Sequence, residues 1–384
     1  MNFEFATAAR ILFGRGSLRQ LGPIARGLGC RALVVTGRSP RRADPAVALL
    51  RESGVNSTIF SVDGEPALET VRAGTQLARN HRCDVVTGIG GGSAIDASKA
   101  IAAMLANEGD VLDYVEIIGR GKALVHPSVP FIAIPTTAGT GAEVTRNAVL
   151  SSPEHRLKVS LRSPLMFPRV AIVDPELTLD LPPGATASTG LDALTQLIEA
   201  FVCLRSNPLT DALCADGISR VVRSLRIAFS NGRGADARED MALAGLFSGM
   251  ALTNAGLGAV HGIAGPLGGM FDAPHGAICA ALLPQVMEAN VRALRERQPG
   301  SEPLRRYEVL GRLLTDKPNA SADDAVAWVR QLVADLNIPK LGRYGDISDH
   351  ARELVDKSAR SSSMKANPIA LTPDELSKIL ELSV

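Results

Sequence analysis

A chain of 384 residues has room for two domains of ordinary size, about 100–200 residues each. Apolar residues make up 46% and charged residues 21%, and 41 basic against 40 acidic side chains leave a net charge of +1. That composition suits a globular chain with a sizeable core, and the lack of a basic face or charge block excludes nucleic acid and membrane lipid as expected partners.

The chain opens Met1-Asn2-Phe3-Glu4, without a basic segment followed by an apolar stretch, so no signal peptide is expected. Ala32-Leu33-Val34-Val35-Thr36 reads as a buried strand. Asn56 to Phe60, Asp84 to Ile89 and Pro130 to Ile134 read as three more. Amphipathic helical stretches lie between them, at residues 45–53 and 69–81. This alternation predicts a mostly parallel sheet covered by helices. Val170-Ala171-Ile172-Val173 is the last clear strand, and Pro182-Pro183-Gly184 then punctuates the chain. Beyond it the periodicity is helical. The expected organisation is therefore an α/β domain over residues 1–178 and an all-helical domain over residues 179–384.

Residues 241–271 carry no charge and are long enough to span a bilayer, but eight glycines, Asn254, His261 and Pro266 make them weakly hydrophobic. Tightly packed core helices are the expected explanation. Cys30, Cys83, Cys203, Cys214 and Cys279 are odd in number and contain no C-x-x-C pair. Neither a disulfide framework nor a thiolate zinc site is expected, and a reducing, cytoplasmic setting fits.

Gly88-Ile89-Gly90-Gly91-Gly92-Ser93 follows a predicted strand and precedes a helix. Glycine lets a backbone approach a pyrophosphate, and a helix N-terminus offers free amides and a favourable dipole. Ser93 and Asp96 have the spacing of a capping box, and Lys99 on the same helix is placed to reach cofactor oxygens. A plain strand-to-helix turn with a solvated lysine would read the same way. A second loop, Pro135 to Asn147, contains Thr136, Thr137, Thr140 and Thr145 with two glycines. Ligands collect at such strand ends. Lys158 by itself reads as a surface residue.

In the helical half, Asp192 and Gln196 are four residues apart on one helix face. His261 and His275 fall in or beside the uncharged stretch. A carboxylate with two imidazoles is a ligand set for Fe(II) or Zn(II), although a helix cap and two core histidines would give the same pattern.

Together these motifs resemble the iron-containing alcohol dehydrogenase family, over nearly the whole chain. Gly90-Gly91-Gly92-Ser93 with Asp96 and Lys99 is similar to its coenzyme loop. Pro135 to Gly141 with Glu143-Val144-Thr145 is similar to its second signature, and Asp192 to Thr195 with His261 and His275 to its metal segments. The resemblance implies a dehydroquinate synthase-like fold, with an α/β dinucleotide-binding domain and an all-helical C-terminal metal and substrate domain. It further implies NAD or NADP contacted by Thr136, Thr137, Thr145, Asn147 and Lys158, a divalent metal, a small alcohol or aldehyde substrate, and a homodimer or larger homo-oligomer.

Three positions depart from that family. Gln196 stands where histidine is usual, which puts metal affinity and identity in question. Gly265 stands where another histidine is frequent, which removes a proton relay. Gly37 stands where many NAD-specific members carry an aspartate, so Gly37, Arg38 and Ser39 are expected to admit the 2′-phosphate of NADPH. The implied chemistry is metal-assisted hydride transfer between an alcohol and the nicotinamide, with no side chain standing out as general base. A metal-independent reductase of the maleylacetate reductase type, a non-redox relative of the dehydroquinate synthase type, and a cofactor-binding relative without dehydrogenase activity are the alternatives.

Overall fold

The computed structural model describes residues 2–384. Its contacts divide the chain into two compact units, Thr7–Leu179 in one, and residues 2–6 with Asp180–Val384 in the other. The division falls beside residue 178, where composition changes. The N-terminal residues, however, were expected with the α/β unit and instead belong to the helical one, where Asn254 both accepts from the Ala6 amide and donates to its carbonyl.

The first unit is built on a six-stranded parallel sheet. Its strands are β1 (Ile11–Phe13), β2 (Arg31–Thr36), β3 (Asn56–Ser61), β4 (Val85–Gly90), β5 (Phe131–Pro135) and β8 (Val170–Val173), in the order β1-β8-β5-β4-β2-β3. β2 shows why the sequence chooses this fold. Side chains alternate across a strand, so Leu33 and Val35 enter one core while Ala32 and Val34 enter the other, and all four are buried. A strand buried on both faces reads as a continuous apolar run. The helices Asp44–Glu52 and Leu68–Asn80 match the predicted amphipathic stretches to within one residue at each end.

Two features were not expected. β1 is a three-residue edge strand, too short to carry a periodic signal. A hairpin of β6 (Asn147–Ser152) and β7 (Leu157–Arg162) stands apart from the main sheet, with Ala148, Leu150, Val159 and Leu161 turned inward.

Among the described residues there is no strand after Val173, and the second unit is helical throughout. No single helix in it is long and apolar enough to cross a membrane. Ala235–Asn254 and Ala259–Met270 meet that length and composition only as a pair, bent by 98°. Their small residues are buried, among them Ala244, Gly245, Ser248, Gly249, Gly262 and Ala264, which agrees with close helix packing.

Candidate functional site

The chain leaves β2 toward β3 and leaves β4 toward β5, on opposite sides of the sheet. The carboxyl ends of two such neighbouring strands border the crevice where open α/β sheets bind ligands. Gly37 follows β2 there, and Gly91-Gly92-Ser93 follow β4. A β-carbon built on Gly90 would stand 3.6 Å from the Gly37 nitrogen, so the two segments are neighbours. The second loop joins them through the Thr136 amide, which donates to the Gly90 carbonyl at 2.9 Å.

Gly92 begins the helix Gly92–Ala106, and no side chain caps that end. A β-carbon on Gly92 would meet Thr140 Cγ2 at 2.8 Å, and one on Gly91 would reach Thr137 at 3.4 Å. Glycine is thus needed at position 92 for the close approach of the threonine loop, whereas the Gly91 distance is an ordinary contact. Gly141 turns that loop with φ 61°, a left-handed conformation that glycine adopts without strain.

Several expected roles change. The Ser93–Asp96 capping box does not form. Asp96 is turned inward instead and accepts from the Val149 amide at 3.0 Å, and burial pushes its carboxyl up to about 6. Lys99 does not reach outward to a cofactor. Its side chain is 0% exposed, and its ammonium donates to Ala142 O (2.8 Å), Thr145 Oγ1 (2.8 Å) and Asn147 O (2.7 Å). An ammonium has three donors, so all are used, and Lys99 clamps the second loop and the start of β6 to the helix. Thr145 and Asn147 are bound by this clamp. Lys158 pairs with Glu65 at 3.0 Å. Arg38, its side chain 83% exposed, makes a two-pronged pair with Asp63 at 2.8 and 3.1 Å.

Glu143 is buried in the same loop, and burial pushes its carboxyl from 4.5 up to about 7, against the pull of a backbone amide and of Lys99. The folded state therefore keeps a proton that the unfolded chain releases from about pH 4.5. Stability falls as pH rises through that window. Glu143→Gln, which keeps the neutral shape, is expected to flatten the fall and to be more stable than wild type at pH 8 by about 2–3 kcal/mol. Thermal melts from pH 4.5 to 8 check this, and an equal fall in the variant would contradict it.

The helical unit carries the second constellation. Asp192 lies on the helix Pro183–Val202, His261 on Ala259–Met270, and His275 at the first position of His275–Arg297. His261 Nε2 lies 3.4 Å and His275 Nε2 3.9 Å from Asp192 Oδ1. That oxygen is buried and has no hydrogen-bond partner, although its residue is only 2% exposed. An orphaned carboxylate oxygen facing two imidazole nitrogens fits a cation, since buried polar atoms otherwise find partners. The three residues thus fit the divalent metal their types suggested. Gln196 is buried, with its amide oxygen 2.8 Å from the Ser248 hydroxyl, which donates to it.

Two participants were missed. Cys279, set aside when the cysteines showed no paired spacing, puts Sγ 3.6 Å from His275 Nε2 and 3.8 Å from His261 Nε2. The four-residue step from His275 to Cys279 on one helix face was the available signal. Burial alone would raise its thiol, but the flanking imidazoles outweigh burial and hold it below the ordinary thiol range. Glu199, two turns beyond Asp192, accepts from His261 Nδ1 at 2.6 Å and from the Val260 amide at 2.7 Å. A carboxylate on Nδ1 fixes the tautomer and leaves the Nε2 lone pair facing Asp192 and Cys279.

The parallel sheet with its loops at the crossover point, joined in one chain to a helical unit with a ligand cluster, has the make-up of an alcohol–aldehyde oxidoreductase of dehydroquinate synthase-like fold. The chain belongs to the iron-containing alcohol dehydrogenase family: the family model "Iron-containing alcohol dehydrogenase" matches residues 8–175, and the family's C-terminal model matches residues 186–384. It is 36% identical over 364 residues to a 1,3-propanediol dehydrogenase of Klebsiella pneumoniae, covering 93% of this chain and 90% of that one. A crystal structure of a 1,3-propanediol oxidoreductase superposes with a TM-score of 0.93 at 33% identity over 100% of both chains. A sulfoacetaldehyde reductase of Bifidobacterium kashiwanohense, solved in complex with NAD+, superposes with a TM-score of 0.87 at 31% identity over 100% of this chain and 99% of that one.

Proposed function

We propose that this alcohol–aldehyde oxidoreductase uses NAD or NADP together with a divalent metal, Fe(II) or Zn(II), held by Asp192, His261 and His275. The observation that carries the reading is the orphaned Asp192 oxygen facing two imidazole nitrogens. When bound, the metal supplies Lewis acidity toward the substrate oxygen and the nicotinamide supplies or accepts the hydride.

The chain's own residues prepare for both. Gly91, Gly92 and Ser93 at the uncapped helix end receive the pyrophosphate, with Thr136, Thr137 and Thr140 beside them. Lys99 acts through the loop by holding it in place, and Glu199 acts through His261 by fixing its ring. A homo-oligomer in a reducing cytoplasmic setting completes the reading, and five unpaired cysteines agree with that setting. The family matches do not favour the metal-independent or non-catalytic alternatives.

The test is a coupled screen of short aldehydes and ketones with NADH and NADPH, before and after exhaustive chelation. Turnover that chelation removes and added metal restores is expected, and turnover indifferent to chelation would favour a metal-independent reductase. NADPH is expected to be accepted, because nothing lies within 4 Å of a β-carbon at Gly37 and no carboxylate repels the phosphate from that position. The Arg38–Asp63 pair is exposed and screened, so it leaves Arg38 available to a phosphate. For the same reason Gly37→Asp should fold normally and move the ratio of kcat/KM toward NADH by at least about tenfold, the effect of one new repulsion of about 1.4 kcal/mol. An unchanged ratio would place the ribose elsewhere.

A further inference from the structure

We propose that Cys279 is the fourth protein ligand of the metal, standing in for the side chain at position 196, so that the site is Asp192–His261–His275–Cys279. The inference rests on the metal-assisted reading above and adds a soft thiolate to it.

Asp192, His261, His275 and Cys279 each offer one donor atom, and all four atoms lie within 4.8 Å of one another. The separations suit a common ion. Metal–nitrogen bonds of about 2.0–2.1 Å and a metal–sulfur bond of about 2.3 Å, set tetrahedrally, place nitrogen and sulfur about 3.6 Å apart. The structure has Sγ at 3.6 and 3.8 Å from the two Nε2 atoms, and Asp192 Oδ1 at 3.4 and 3.9 Å from the same atoms.

The cysteine is not the only sign of a ligand. Asp192 Oδ1 is buried, unpartnered and aimed at the same point. A thiol that served only as packing would rest against carbon, as buried free cysteines usually do. This sulfur instead faces the two ring nitrogens that have lone pairs to give, and Glu199 holds one of those rings by its other nitrogen.

Gln196 is committed elsewhere. Its amide oxygen, the donor it would offer a metal, lies 2.8 Å from the Ser248 hydroxyl, whose single proton it shares with the Gly245 carbonyl. A neutral amide is also a weaker donor to Fe(II) or Zn(II) than a thiolate or an imidazole, and thiolate ligation shifts a site toward zinc. The cluster thus loses a ligand from the helix Pro183–Val202 and gains one from His275–Arg297, a turn beyond a histidine already in place.

The test uses the full-length protein, stripped by chelator and reloaded with cobalt(II) or zinc(II). One equivalent of cobalt is expected to produce a thiolate-to-cobalt charge-transfer band in the near ultraviolet. The band should vanish in Cys279→Ser and persist in Gln196→Ala. Zinc affinity should fall at least about tenfold in Cys279→Ser, since even the loss of an outer partner costs 10–100-fold. Zinc-edge X-ray absorption of the wild type needs no variant to fold, and should show one sulfur at about 2.3 Å. Cobalt bound without the band, or zinc with only nitrogen and oxygen neighbours, would overturn the assignment of Cys279 while leaving the metal site standing. Failure to bind either metal would remove both.

Discussion

His261→Ala is expected to abolish stoichiometric metal binding and to lower kcat/KM by at least about a thousandfold, the scale of several kcal/mol of lost charge stabilisation. The imidazole sits where one substitution undoes two things. Its Nε2 lies 3.4 Å from Asp192 Oδ1 and 3.8 Å from Cys279 Sγ, so its loss opens the centre of the cluster. Its Nδ1 donates to Glu199, which is buried and, among the described residues, would keep the Val260 amide as its donor. Leaving a buried carboxylate short of a donor costs about 1–3 kcal/mol of stability. Elemental analysis, steady-state kinetics and a denaturant melt separate these effects. Glu199→Gln serves as the comparison, because it alters the ring's partner without removing the ring. It should weaken metal binding by about 10–100-fold rather than abolish it. Wild-type turnover in His261→Ala would end the metal-assisted reading.

The second large effect is expected at Lys99. Replacing it with alanine should destabilise the protein by about 3–5 kcal/mol, the cost of breaking a buried ionic network by removing one partner. The ammonium is fully buried, and burial pushes it below its ordinary value while Asp96 and Glu143 pull it back. Without it the acceptors at Ala142, Thr145 and Asn147 lose their shared donor, and Asp96 and Glu143 lose the nearby positive charge. The threonine loop should then come free of the helix, so cofactor affinity should fall with stability. Urea denaturation and cofactor titration measure the two. Lys99→Ala/Asp96→Leu should recover part of the stability, since a buried charge without its partner is worse than no charge, but not the affinity. A single variant as stable as wild type would mean that the clamp contributes little.

This second case shows how far local reading goes. The spacing of Ser93 and Asp96 satisfies the local rule for a helix cap, yet Asp96 turns inward to the amide of Val149, 53 residues away. Lys99 looked like a residue reaching out of a phosphate loop and is instead consumed by carbonyls more than 40 residues further on. In both cases a tertiary partner in a water-free setting outbids the local option, because a buried charge without partners is costly. Arg38 was expected, with Gly37 and Ser39, to admit a phosphate. Asp63 reaches Arg38 from beyond β3, a pairing that depends on β2 and β3 lying side by side.

The sequence by itself determined the parallel sheet, the glycine turn after β4 and the change to helices after Val173. Each of these is encoded within a few residues. Apolar runs bounded by turn residues specify buried strands, and a 3.6-residue period specifies helices. Only the tertiary structure decided which side chains meet. Asp192, His261 and Cys279 come from three separate helices, and nothing in the spacing between residues 192, 261 and 279 records that their donor atoms converge within 4.8 Å. The edge strand β1 and the β6–β7 hairpin belong with these, because their short segments are stabilised by partners rather than by their own pattern. Local periodicity sets which face of an element is buried, whereas packing between distant elements sets what that face touches, and the chemistry of this protein lies in those contacts.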